Sequence, residues 1–81
     1  MTSEIRIHDS VALLQEMTTV HFDSGRPLIL KPGQVGTVVM VYDQDNYEVE
    51  FAGKDGRAYA ILPISAEKLM VLRDSPEFVA S

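Results

Sequence analysis

At 81 residues the chain has room for one domain with a modest core, because a domain of that size buries only roughly 60–65% of its unfolded surface. Hydrophobic residues make up 46%, which excludes a disordered chain, and the absence of cysteine removes disulfides, thiolate metal sites and cysteine nucleophiles together. Seven basic residues against twelve acidic ones leave a net charge of -5, a field that repels polyanions and counts against RNA, DNA and anionic membrane as partners.

Met1 to Arg6 contain no basic stretch followed by an apolar run, so they do not read as a signal peptide. No apolar segment approaches the ~20 residues needed to span a bilayer, and the chain is expected to be cytoplasmic, with no membrane partner. Residues 1–8 read as an N-terminal extension, 9–72 as the domain and 73–81 as a polar, frayed, flexible tail containing Pro76.

Within the domain, Ser10 to Met17 has the β-branched Val11 near its start and continues no helical stripe through Thr18-Thr19-Val20, which predicts a strand. Residues 18–34 read as a long connection with turn signals at Ser24-Gly25-Arg26-Pro27 and Lys31-Pro32-Gly33. Val35 to Tyr42 is a β-branched run closed by Asp43-Gln44-Asp45-Asn46, and Tyr47-Glu48-Val49-Glu50-Phe51 alternates as a strand with one wet face. Gly53 to Gly56 is a hairpin turn, Arg57 to Leu62 the returning strand, and Pro63 its end. Ser65-Ala66-Glu67 reads as one helical turn capped by serine, and Lys68 to Leu72 as the last strand.

The hairpin turn decides which side chains share a face. A three-residue loop with Gly56 left-handed pairs Gly53 with Arg57, which sets Phe51 opposite Tyr59 and Val49 opposite Ile61 and leaves Glu48 and Glu50 facing Leu62 and Ala60. Burying two large residues, each worth ~1.5–3 kcal/mol, favours that register over a tight Asp55-Gly56 turn. The fold class expected is all-β: a small five-stranded SH3-like barrel with a long first loop and one helical turn before the last strand.

Four segments, Asp9 to Leu14, Leu30 to Val39, Tyr47 to Phe51 and Gly56 to Ala60, resemble the small bacterial proteins grouped as domain of unknown function 4926; KPGQVGTVV and YEVEF are the most specific parts. The resemblance implies a compact SH3-like β domain, with a protein partner in toxin–antitoxin fashion, and supplies no established activity. Gly33-x-x-Gly36-Thr37-Val38 is also similar to the KOW motif, which implies RNA or ribosome association, although this chain lacks the basic surface of such domains.

Gly33 and Gly36 precede a β-branched strand rather than a helix and lack the Lys-Ser/Thr of a phosphate loop. Gly33 fits the left-handed position of a type II turn, and Gly36 a close backbone approach. His8-Asp9 and His21-Phe22-Asp23 have no spacing that enforces a metal site or a nucleophile's base, so no metal, cofactor or catalytic residue is assigned. Glu48 and Glu50 point the same way on one strand and are expected to be solvated. Val38-Val39-Met40-Val41 is apolar on both faces, so either Val39 and Val41 or Val38 and Met40 lie on the glutamate side.

A doubly apolar strand beside a charged one marks either a bent barrel strand or a protein interface. The expected function is a non-catalytic interaction module that self-associates or binds a second protein through Val39, Val41, Glu48 and Glu50, with Phe22, Leu28 and Ile29 of the long loop. The alternative is a KOW-like RNA- or ribosome-associated domain built on Lys31, Lys54, Arg57 and Lys68.

Overall fold

In the computed structural model, which describes residues 5–80, each segment anticipated as a strand contains one, and the long connection supplies the return strand of a further hairpin. The strands are β1 (Ser10–Leu13), β2 (Met17–Val20), β3 (Pro27–Leu30), β4 (Val35–Val41), β5 (Asn46–Ala52), β6 (Ala58–Ser65) and β7 (Leu69–Val71). A single 3-10 turn, Ala66–Lys68, sits between the last two. The described residues hold no helix long and apolar enough to cross a membrane.

The strands form an antiparallel five-stranded sheet in the order β6-β5-β4-β1-β7 and a separate two-stranded sheet of β2 and β3. The expected barrel is therefore an all-β fold of two sheets, with the larger one open at β6 and β7. The strand expected at 10–17 breaks at Leu14, and Met17-Thr18-Thr19-Val20, three of its four residues β-branched, resumes as β2. Its return strand is held by the turn at 21–26, where the His21 N–H donates to the Arg26 carbonyl at 2.8 Å and Gly25 takes φ 72°.

The core lies between the inner face of the large sheet and this hairpin. Val11, Leu13, Val38, Tyr47, Val49, Phe51, Ala60, Leu62, Ile64 and Leu69 are buried from the sheet, and Leu30 from the hairpin. Leu28 and Met17 pack against the same cluster from the hairpin's inner face. The N-terminal extension takes part in this core, because Ile5 is only 7% exposed. Residues 1–4 of that extension and Ser81 of the tail lie outside the described residues. Residues 73–80 are exposed and join no strand.

Two glycine expectations hold. The Gln34 N–H donates to the Lys31 carbonyl at 3.1 Å across Pro32-Gly33, with Gly33 at φ 91°, as a type II turn requires. Gly36 is buried where β4 crosses β5, and a Cβ there would lie 2.7 Å from Val49 Cγ1 and 2.9 Å from the Glu50 carbonyl oxygen.

The hairpin turn also forms as expected, with Gly56 at φ 79° and the Gly53 N–H donating to the Arg57 carbonyl at 3.0 Å. The register beyond it does not. Ala52 pairs with Ala58, but a bulge at Tyr59 then sets Phe51 opposite Ala60, Val49 opposite Leu62, Glu50 opposite Ile61 and Glu48 opposite Pro63. One extra residue moves every later side chain to the other face. The reason lies at the third pair: the expected register turns Pro63 inward, whereas the bulged one buries Leu62 and Ile64 with Ala60. Tyr59 still covers Phe51 from the bulge, with ring centroids 6.4 Å apart and its hydroxyl accepting from Gln34 Nε2 at 3.0 Å.

Pro63 does not end β6, which runs on to Ser65. As an edge strand, β6 tolerates a residue without an N–H. Ser65 stands at the cap of the 3-10 turn without a side-chain cap bond; the Ala66 N–H donates instead to the Asp45 carbonyl at 2.7 Å, tying the turn to the β4–β5 connection.

Candidate interaction face

The outer face of the β4–β5–β6 half of the sheet is organised by its pairings. One row runs Thr37, Glu50, Ile61 and the next runs Met40, Glu48, Pro63. Both glutamates are half-buried among these neighbours, and none of the four residues directly opposite them is cationic. Met40 is 46% exposed beside them. The face thus presents two carboxylates, about 7 Å apart along β5, without a cross-strand counter-charge and framed by apolar groups.

A second bulge accounts for the doubly apolar run. The β4–β5 register shifts between Val38 and Met40, so Val38 faces Val49 in the core, Val39 is the unpaired residue, Met40 faces Glu48 and Val41 faces Tyr47. Neither of the two alternating pairs considered from the sequence lies on the glutamate side as a pair. Val39 is half-buried at the bulge, and Val41 stands on the Tyr47 side at the end of the strand.

The structure does not bring the long-loop residues to this face. Leu28 and Ile29 are successive residues of β3 and point to opposite sides: Leu28 packs on the core, while Ile29 is exposed opposite Thr18. Phe22 is exposed at the hairpin tip, where its N–H donates to the Tyr59 carbonyl at 2.7 Å. Since the hairpin turns its inner side to the core, Ile29 looks away from Glu48 and Glu50. Met40 was one of the sequence alternatives for the glutamate side, there paired with Val38, but Ile61 and Pro63 were not foreseen; their positions follow from two bulges that leave no turn residue behind as a marker.

The turn beside this face is closed by Asp43, whose carboxylate accepts from the Asp45 N–H at 2.8 Å and from Asn46 Nδ2 at 3.1 Å. These bonds, the Asp45 one foremost, hold the Asp43 carboxyl below its ordinary value. A carboxylate with a lowered folded pKa contributes stability above its unfolded value of about 3.9, and that contribution disappears as pH falls through the folded value. Wild type is therefore expected to be more stable than Asp43→Ala at neutral pH, with the difference closing below about pH 4 in urea titrations. Across the turn, the Tyr42 phenol is held above its ordinary pKa by desolvation and then by the neighbouring Glu48 carboxylate.

The two histidines stand apart. His8, at φ 74°, donates its N–H to the Val38 carbonyl at 2.7 Å and lines a cleft with Val35, Arg73 and Asp74. His21 Nδ1 accepts from the Asp23 and Ser24 N–H groups at 3.1 and 3.2 Å, which makes it a cap of its own turn. Among the described residues no group of three or more His, Cys, Asp or Glu side chains is placed to hold a metal ion.

A family described as Domain of unknown function (DUF4926) matches residues 7–71, which is most of the chain. The chain belongs to the DUF4926 family. No curated protein and no solved structure matches this DUF4926 domain. The matched span takes in all seven strands and stops at Val71, so the tail from Leu72 onward lies outside it.

Proposed function

We propose that this DUF4926 domain is a non-catalytic, SH3-like interaction module whose outer β4–β5–β6 face captures a basic segment of a second protein. The layout supports the SH3-like reading: a first strand, a hairpin filling the first connection, a three-stranded meander, a 3-10 turn and a last strand returning beside the first. The observation that carries the functional reading is the pair Glu48 and Glu50, opposed by Met40, Pro63, Thr37 and Ile61 and by no cation. Carboxylates set in such a frame favour Lys or Arg from outside, and the apolar neighbours exclude water around the new pair. Val39 and Met40 supply the apolar part of the contact.

The test compares capture by tagged wild type and by Glu48→Lys/Glu50→Lys from the native host at moderate salt. A stoichiometric protein held by wild type and released by the variant, with both melting alike, is the expected result. Equal capture by the two rejects this face. The KOW-like alternative needs its cations to converge, yet Arg57 and Lys68 flank β6 at opposite ends, some 25 Å apart for an extended strand of that length.

A further inference from the structure

Strand β7 leaves a backbone edge of the large sheet open. The Leu72 N–H donates to the Ser10 carbonyl at 2.9 Å and the Leu14 N–H to the Lys68 carbonyl at 2.8 Å, so even-numbered residues bond β1 and odd-numbered ones turn outward. The Leu69 N–H is taken by the Ala66 carbonyl. The open edge therefore offers the Leu69 carbonyl, both groups of Val71 and the Arg73 N–H. On the outer face beside it, Met70 pairs with Ala12 and Ala12 with Val35, and Met70, Leu72 and Val35 are all exposed.

The same chain carries a segment suited to that edge. Phe78 is 89% and Val79 94% exposed, in a tail that its own core does not use. The radius of gyration is 13.7 Å, against about 11.7 Å for a compact chain of this length, as a projecting tail requires.

We propose that β7 and the tail of one copy pair antiparallel with the same segment of a second copy, about a two-fold axis at Ser75. Val71 then faces Val79 of the second copy, Leu72 faces Phe78, Arg73 faces Glu77 and Asp74 faces Pro76, and each pairing occurs twice. Three features select this register. Pro76 is even-numbered, so its missing N–H falls where no inter-copy bond is made. Arg73 and Glu77 become opposite charges directly across the ladder. The exposed apolar residues of the tail meet those of β7. An axis at Asp74 sets Val71 against Glu77, and an axis at Arg73 sets that arginine against itself, so both neighbouring registers are worse. The interface is isologous and closes as a dimer.

Sedimentation equilibrium on the full chain tests this, with a dimer of twice 9.0 kDa expected. Arg73→Glu and Glu77→Arg, each alone, are expected to weaken dimerisation about tenfold, and the two together to restore it to within about threefold. In this cysteine-free chain, Ser75→Cys is expected to form an intermolecular disulfide on mild oxidation, since paired strand positions lie about 5.5 Å apart. A wild type that stays at 9.0 kDa up to millimolar concentration overturns the proposal, as does a dimer indifferent to either charge reversal or unrescued by the swap. Glu48→Lys/Glu50→Lys leaves β7 and the tail untouched, so dimerisation and partner capture fail independently.

Discussion

Truncating Phe51 to alanine is expected to cost about 3–5 kcal/mol of folding stability, the largest loss of any single core substitution here. A chain of 81 residues holds about 4–12 kcal/mol in total, so the variant approaches the unfolding threshold at ambient temperature. Phe51 has this weight because it is fully buried on β5, faces Ala60 across the ladder and carries the ring of Tyr59 on one side. Ala60 is too small to fill the space, and Tyr59 is held at its bulge by Gln34, which limits collapse into the cavity. Urea unfolding reads the loss as a lower midpoint at unchanged slope. Phe22→Ala removes an equally large ring from an exposed position and is expected to change stability by less than about 0.5 kcal/mol. Similar losses in the two variants count against the core as described.

The burial of Phe51 was legible in the sequence, because it sits in strict alternation with Glu48 and Glu50, whereas Phe22 was grouped with Leu28 and Ile29 in the long loop and its exposure was not. Strand identity was legible for the same reason: β-branched runs and alternation report the backbone directly. What alternation does not report is a bulge. At Val39 and at Tyr59 an extra residue reverses the faces downstream, and neither site carries the glycine that marks some bulges. The cost was paid at the candidate face, where Met40, Ile61 and Pro63 replaced Val41 and the loop residues as neighbours of the glutamates. The hairpin of β2 and β3 was hidden differently. Its turn residues were read as loop signals, although Thr18-Thr19-Val20 and Leu28-Ile29-Leu30 on either side are strand formers.

Gly36→Ala is expected to destabilise the domain by about 2–3 kcal/mol, although alanine is the smallest possible addition. The added methyl would meet Val49 Cγ1 at 2.7 Å, the Glu50 carbonyl oxygen at 2.9 Å and Phe51 Cδ1 at 3.0 Å. A valine methyl gives way by a rotamer change, but a carbonyl in a ladder moves only with its strand, so β4 and β5 must separate locally. Gly33→Ala provides the comparison. No atom lies within 4 Å of a Cβ there, yet φ is 91°, so its smaller loss, of about 1 kcal/mol, comes from backbone strain alone. The two mechanisms separate in a double-mutant cycle. Val49→Ala removes one of the three contacts, so Gly36→Ala is expected to cost less in that background than in wild type, while the Gly33→Ala penalty stays the same. A Gly36→Ala loss below about 0.5 kcal/mol, or one unaffected by Val49→Ala, would mean that β4 and β5 do not approach as closely as this packing requires.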